Sequence, residues 1–388
     1  MTRLVVVLVY VLLGSLPLPI LAATNFSKWV YPAPNGRILQ QPDALGNRIL
    51  DYTSVGYKGG TVPLPVVPVK VTLSPMAGDD RAIIQAAIDS VESMPPDTNG
   101  FRGAVLLTAG EYQVSGSLTI NSSGVVLRGV GSGTNGTVLR ATATNQHTLI
   151  RVTGSGSASS STTHNLTDYY VPVGARSFNV DSTSGFAVGD RVFVRRTATS
   201  GWITEIGMDL LDNPWTPGSY NIDMDRTITR LEGNRVTLNA PITCTIEARH
   251  AGGTVRKYSW SGRINNCGVE WLRGVSDFAA VDDEDHGWIL VQFNSVENAW
   301  VRDVTSQYFG YACVALYSGT RYTTVRDCRS LDPVSVITGG RRYAFAVDDS
   351  QHCLLQNCYT DQDRHQFVTQ SLTTGPNVFV DGLNDSAK

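Results

Sequence analysis

The sequence predicts an all-β chain wound as a solenoid of parallel strands, opened by a short capping helix and interrupted by a small β-rich insertion. Three observations carry that prediction. A helix is followed at once by short, punctuated strands; a four-residue word recurs through the C-terminal part; and a block of different patterning lies between the two.

The helix comes first. Asp79 or Asp80 is placed to cap it, and Ile83, Ile84, Ala87, Ile88 and Val91 fall on one face of a 3.6-residue period. Such a helix suits the open end of a solenoid, whose first turn would otherwise present unpaired strand edges. Beyond Met94-Pro95-Pro96 the pattern changes to short apolar runs at 104–107, 118–120, 125–127 and 138–139. Each reaches a Gly, Ser or Asn within a few residues, the rhythm of strands joined by corners. No gap between them is long enough for the helix that a doubly wound α/β sheet requires.

The recurring word is Leu272-Arg273-Gly274-Val275, then Val301-Arg302-Asp303-Val304, Val325-Arg326-Asp327-Cys328, Leu355-Gln356-Asn357-Cys358 and Val380-Asp381-Gly382-Leu383. Its starts are separated by 29, 24, 30 and 25 residues, within the range of solenoid repeats. Leu127-Arg128-Gly129-Val130 repeats it early in the chain. The first and fourth residues of each unit are expected to stack on their counterparts in neighbouring rungs. Cys328 and Cys358 then share a column, which reads either as a ladder of buried thiols or as a disulfide. The six cysteines are not clustered at metal spacings.

The intervening block begins with a Ser/Thr/Gly-rich stretch at 151–168, which reads as a loop or linker. Segments 171–173, 178–180, 191–194 and 236–238 then alternate like antiparallel strands, with turns at Val188-Gly189-Asp190 and Glu232-Gly233-Asn234. The predicted organisation is therefore a leader at 1–23, an extended segment at 24–70 and the start of the solenoid at 71–150. A linker and insertion follow at 151–255, and further rungs at 256–388. The last residues, Asn384-Asp385-Ser386-Ala387-Lys388, bring no closing segment, which reads as a solenoid cut short.

Residues 1–23 have the form of a secretory signal: Arg3, an apolar run at 4–13, and Leu21-Ala22-Ala23 as a small-residue cleavage site. The expectation is a secreted protein with no membrane attachment once the leader is removed. A net charge of 31 − 34 = −3 gives no electrostatic footprint for nucleic acid.

The GDD…IQAAID helix, the TAGEYQVSGSLTI strand pair and the GVVLRGVGSG turn, together about residues 71–140, resemble the N-terminal domain of pectate-lyase-superfamily proteins. That domain also occurs in tailspike-, glucanase- and epimerase-like proteins. The resemblance implies a right-handed parallel β-helix and a polysaccharide substrate. The matched residues are structural in that family, so neither its calcium ligands nor its catalytic arginine is carried onto this chain.

On such a solenoid, β-elimination from a uronate needs a base and a group that neutralises the carboxylate, whether Ca²⁺, Arg or Lys. Hydrolysis instead needs two or three carboxylates around one glycosidic oxygen. Running the repeat forward aligns Gly310-Tyr311-Ala312-Cys313 with Arg342-Tyr343-Ala344-Phe345 and Arg364-His365-Gln366-Phe367. Arg342 then stands beside Arg364, with Tyr311, Tyr343 and His365 in the next column. His286, preceded by the acidic run 282–285, arrives one rung earlier. The reading is a lyase for an acidic polysaccharide, with Arg342 or His365 as base, Arg364 as carboxylate clamp, and Tyr311, Tyr343 and His286 against the substrate.

Two alternatives stay open. One is a glycoside hydrolase of the polygalacturonase or glucanase type using Asp348, Asp349 or Asp363. The other is a non-catalytic glycan-binding protein in which Trp202, Trp215 and Tyr220 form a sugar-stacking platform. The preferred reading of the same rings is a hydrophobic seam docking the insertion on the solenoid. No metal ligands are assigned: Ca²⁺ enters only as an ion that could neutralise a uronate, and the acidic run lacks EF-hand spacing. Nothing in the sequence marks a trimer seam.

Overall fold

The computed structural model describes residues 27–387 except Ser371, so the leader expected at 1–23 lies outside the described residues. Three parallel sheets run along the molecule. The first holds, in spatial order, Val69–Leu73, Gly103–Leu107, Val125–Arg128, Gly268–Ser276, Val296–Gln307, Arg321–Arg326, Cys353–Gln356 and Asn377–Val380. The strands Gly268–Ser276 and Val296–Gln307 bend midway and continue into the second sheet. There they join Gly110–Val114, Thr137–Ala141, Arg329–Leu331, Tyr359–Thr360 and Leu383–Asn384. The third sheet holds Leu118–Ile120, His147–Thr153, Gly287–Asn294, Ala312–Leu316, Tyr343–Val347 and His365–Thr369.

The chain visits the three sheets in turn, and each strand pairs in parallel with its counterpart one rung away, as Val301 does with Val325 and Val325 with Leu355. Crossovers between parallel strands of twisted sheets wind right-handed. The fold is a right-handed parallel β-helix, the fold that the resemblance implied. Its interior is apolar along the whole axis, from Leu107 and Leu127 to Phe345 stacked on Phe367 at 5.5 Å.

The helix Arg81–Glu92 buries Ile84, Ala87, Ile88 and Val91 against the first rungs, as its periodicity predicted. Asp80 holds the N-cap position but makes no side-chain cap bond, and both aspartates tie the helix entry to its surroundings. Asp79 accepts from the Arg81 amide at 3.1 Å and from the Ser115 amide at 3.1 Å. Asp80 is buried and accepts from the Met76 and Gln113 amides at 2.8 and 3.0 Å, tying the helix entry to the second sheet.

The repeat stacks as predicted over its three middle units, while its outer units are displaced. Val301 pairs with Val269, and Leu272 with Val304, so the first unit is three residues out of register. Leu127 also pairs with Val269. At the far end Leu355 pairs with Phe379 and Tyr359 with Leu383, one residue out. What stays in register is the corner between the first two sheets. Trp271, Asp303, Asp327, Asn357 and Asp381 all take φ between +49° and +59°, a region where Asp and Asn are the least strained side chains after Gly. Trp271 is the exception, held with the Arg302 guanidinium 4.5 Å and the Arg128 guanidinium 5.3 Å from its ring.

Cys328 and Cys358 face each other on adjacent rungs inside the core, and all six cysteines are free, five of them buried. The ladder reading is therefore the one the structure takes. Titration of the unreduced protein should find six thiols after denaturation and few before it; two fewer after denaturation would establish the disulfide instead.

The insertion leaves the solenoid after Thr153 and returns at Ile264. It is a six-stranded antiparallel sheet in the order Ser159–Asn165, Gly253–Ser259, Arg191–Arg196, Ile222–Glu232, Arg235–Leu238, Ser177–Asn179. It has a core of its own, including Phe178, Val192, Val194, Met224 and Ile228.

Candidate functional site

The candidate site lies where the insertion leans over the turns that follow the third sheet. Those turns stack rung upon rung, so residues 317–320 and 348–351, with Gln370, Leu372 and Thr373, form one ledge. Asp348 and Asp349 sit on it because the strand Tyr343–Val347 ends there.

A recess of about 170 Å³ opens between this ledge and the insertion. Asp349, at φ +44°, lines it and accepts from the Ser318 hydroxyl at 2.6 Å. Burial pushes the Asp349 carboxyl above its ordinary range; the neighbouring Asp348 and Asp223 push the same way, against Ser318 and Arg263. Asp223 enters from the insertion, held by Arg195 through two bonds of 2.8 and 2.6 Å and by Arg256 at 2.8 Å. Trp260 forms a wall, fixed by its indole N–H to the Ser155 carbonyl at 2.9 Å. On the other side of the ledge Asp348 is half-buried beside Tyr311 and Tyr317, and burial raises its carboxyl as well.

A second pocket, of about 430 Å³, adjoins the first, with Leu372 lining both. Trp215 and Tyr220 stack there at 3.6 Å, Trp202 lies 6.1 Å from Trp215, and the Arg196 guanidinium sits 3.7 Å over the Trp202 ring. Gln370, Leu372 and Thr373 close it from the solenoid. The rings thus touch the seam yet enclose a cavity instead of filling it. The Gln370 amide donates to the Tyr311 hydroxyl, linking the pocket to a column of rings on the outside of the third sheet. In that column Trp288, Tyr311, Tyr343 and His365 follow one another at 6.4, 5.4 and 4.7 Å.

The other expected residues are placed differently. Tyr343 pairs with His365 as aligned, which sets Arg342 beside Arg364, but Val314 and not Cys313 pairs with Phe345. Arg342 is buried at φ +55°, donating to the Ser335 carbonyl at 2.6 Å and to its hydroxyl at 3.3 Å. Its guanidinium anchors a turn and reaches no open surface where a base would work. Arg364 donates to the Gly339 carbonyl at 2.5 Å, and His365 is exposed. His286 is buried, with one ring nitrogen 2.9 Å from the Ser276 hydroxyl and the other 2.9 Å from the Val334 carbonyl, so both ring nitrogens are taken up inside the fold. In the acidic run, Glu284 grips Arg341 through two bonds and Asp283 accepts from two amides of its own loop. Asp363 is buried away from the other two aspartates, with the Ser330 hydroxyl and the Arg342 cation nearby but no hydrogen bond of good geometry to either of its oxygens.

Sequence reasoning missed Asp223, Trp260, Ser318 and Arg196. Asp223 and Asp225 alternate with Met224 in a strand, which signals a polar face, but nothing local says that this face meets the ledge.

No family model matches the sequence, and no curated protein matches it. Similar solved structures include the tailspike protein gp49 from Pseudomonas phage LKA1, 18% identical with a TM-score of 0.48, covering 78% of this chain and 44% of that one. The Pseudomonas phage phi297 tailspike gp61 is 14% identical with a TM-score of 0.49, covering 79% and 44%. The Gp54 tailspike of Acinetobacter baumannii bacteriophage AP22, solved with a capsular saccharide, is 10% identical with a TM-score of 0.33, covering 79% and 53%. The chain spans less than half the length of the first two. Likenesses this distant carry no argument about activity.

Proposed function

We propose that this chain is a secreted protein that binds a polysaccharide where the insertion meets the solenoid and hydrolyses it, with Asp349 as proton donor. The observation that carries the reading is the Asp349 carboxyl, raised above its ordinary range in a recess walled by Trp260. A general acid must hold its proton at the working pH, and burial beside two other carboxylates favours that state. Asp348 and Asp223 are the neighbours from which a second carboxylate would come. Trp260 and the adjoining rings of Trp202, Trp215 and Tyr220 offer the apolar faces on which sugar rings pack. Secretion rests on the form of residues 1–23.

One observation favours β-elimination as a second reading. His365 is exposed at the end of the ring column, next to Arg364, as a base beside a carboxylate clamp would be.

The mature chain, D349N and H365A are to be incubated with pectin, alginate, ulvan and neutral glucans. Reducing ends and the ultraviolet absorbance of unsaturated uronates would be followed together. Hydrolysis gives reducing ends without absorbance, and D349N should lower kcat by about 100-fold or more while still retaining the glycan. Wild-type rates in D349N would overturn the assignment of Asp349. Absorbance that disappears in H365A would move the chemistry to the elimination.

A further inference from the structure

We infer that the aromatic pocket of the insertion is a subsite for a sugar residue bearing an anionic substituent, a carboxylate or a sulfate ester, held by Arg196. The inference rests on the glycan reading above for the sugar, and on Arg196 itself for the charge.

Arg196 ends the strand Arg191–Arg196 and is 8% exposed. Neighbouring arginines have carboxylate partners: Arg195 and Arg256 share Asp223, Arg263 holds Asp225, and Arg249 holds Glu205. Arg196 makes no ion pair among the described residues, and its Nε is buried without a hydrogen-bond partner. Two groups accompany it. The face of Trp202 lies 3.7 Å from the guanidinium and attracts it weakly compared with an anion. The Cys244 sulfur, which also lines the pocket, is a weak hydrogen-bond partner of the guanidinium; burial raises the thiol's pKa, so at neutral pH it brings no negative charge.

A buried cation left without a counter-ion is costly to the fold, and one that faces a cavity has the place of its missing partner beside it. The planar fork of a guanidinium matches the paired oxygens of a carboxylate or sulfate. The cavity, about 430 Å³, falls within the range of small-molecule sites. The remaining lining suits a sugar: the stacked Trp215 and Tyr220 give a ring wall, and Thr245, Thr373 and Gln370 offer partners for hydroxyls. Leu372 places this subsite directly beside the Asp349 recess.

The test uses the intact protein with D-glucuronate, glucose 6-sulfate and glucose, read by tryptophan fluorescence and by protection of Cys244, the one cysteine that is not fully buried, from maleimide. Either charged sugar should quench fluorescence and protect Cys244 at concentrations at least about tenfold below those glucose requires, and R196Q should abolish that preference. Which of the two binds more tightly distinguishes carboxylate from sulfate. Without ligand, R196M should melt above the wild type, because an uncompensated buried charge is gone; a lower melting temperature would mark a structural strut and overturn the inference. Should the Arg196 variants fail to fold, Cys244 protection in the wild type still decides. Equal response to glucose and to both charged sugars overturns the charge assignment while glycan binding stands. No response to any of the three, with polysaccharide cleavage intact, overturns the subsite alone.

Discussion

Asp225→Ala is expected to cost about 3–5 kcal/mol of stability and to free the insertion from the solenoid. Asp225 is buried; one of its oxygens accepts from Arg321 at 2.6 Å and from the Tyr258 hydroxyl at 2.7 Å, the other from Arg263 at 2.9 Å. Arg321 also donates to Glu297 at 2.8 Å, and Glu297 takes Arg191 at 2.7 Å. Asp225, Tyr258 and Arg191 come from the insertion, while Glu297 and Arg321 come from the rungs, so the cluster is the polar bolt between the two. Alanine would leave two buried guanidinium groups facing a hole. Asparagine keeps the shape and one acceptor, and should cost less.

The pH dependence of that loss has a definite sign. Burial opposes ionisation of Asp225, but Arg321 and Arg263 overcome it and hold the carboxyl below its ordinary value of 3.8. Its contribution is therefore complete above that value and fades only as pH falls through the lower folded value. Urea unfolding of the wild type and D225A at pH 7 checks the magnitude. A difference under about 1 kcal/mol there would mean that apolar packing, and not this cluster, joins the two parts.

The coil was legible because its signals are local: a capped amphipathic helix, short punctuated strands and a recurring word. Its register was not. Leu127-Arg128-Gly129-Val130 and Leu272-Arg273-Gly274-Val275 are the same word, yet Leu127 pairs with Val269, because rungs are registered by the corner that Trp271 makes. A tryptophan at a left-handed corner carries no turn signal; two arginines against its ring make it tolerable there. The site divides in the same way. Asp348 and Asp349 could be named as adjacent carboxylates after a strand. Asp223, more than a hundred residues earlier, meets Asp349 only because the insertion folds back onto the ledge. Arg342 and His286 show the limit of reading columns. Their alignment with other rungs is real or nearly so, but sequence does not distinguish a side chain bonded to its own turn from one facing a substrate.

A change of the opposite sign is expected at Asp363, where Asn should raise stability by about 2 kcal/mol at pH 7. This carboxyl is buried, and burial pushes its pKa from 3.8 up to about 8; the Ser330 hydroxyl and the Arg342 cation offset only part of that cost. Between those two values the folded chain binds a proton that the unfolded chain has released. Stability from the neutral carboxyl is thus complete below 3.8 and drains away as pH rises towards about 8, by up to about 1.4 kcal/mol per pH unit. Asparagine keeps the shape and does not titrate, so the slope disappears; its unpartnered amide N–H groups limit the net gain. The advantage of D363N in melting temperature should be near zero at pH 3.5 and greatest at pH 8. A difference that does not vary with pH, or a variant that melts lower at pH 8, would mean that Asp363 is ionised in the folded chain and that Arg342 is its partner. Arg342 would then hold two duties, the Ser335 turn and a buried ion pair, and its replacement would be the more damaging of the two.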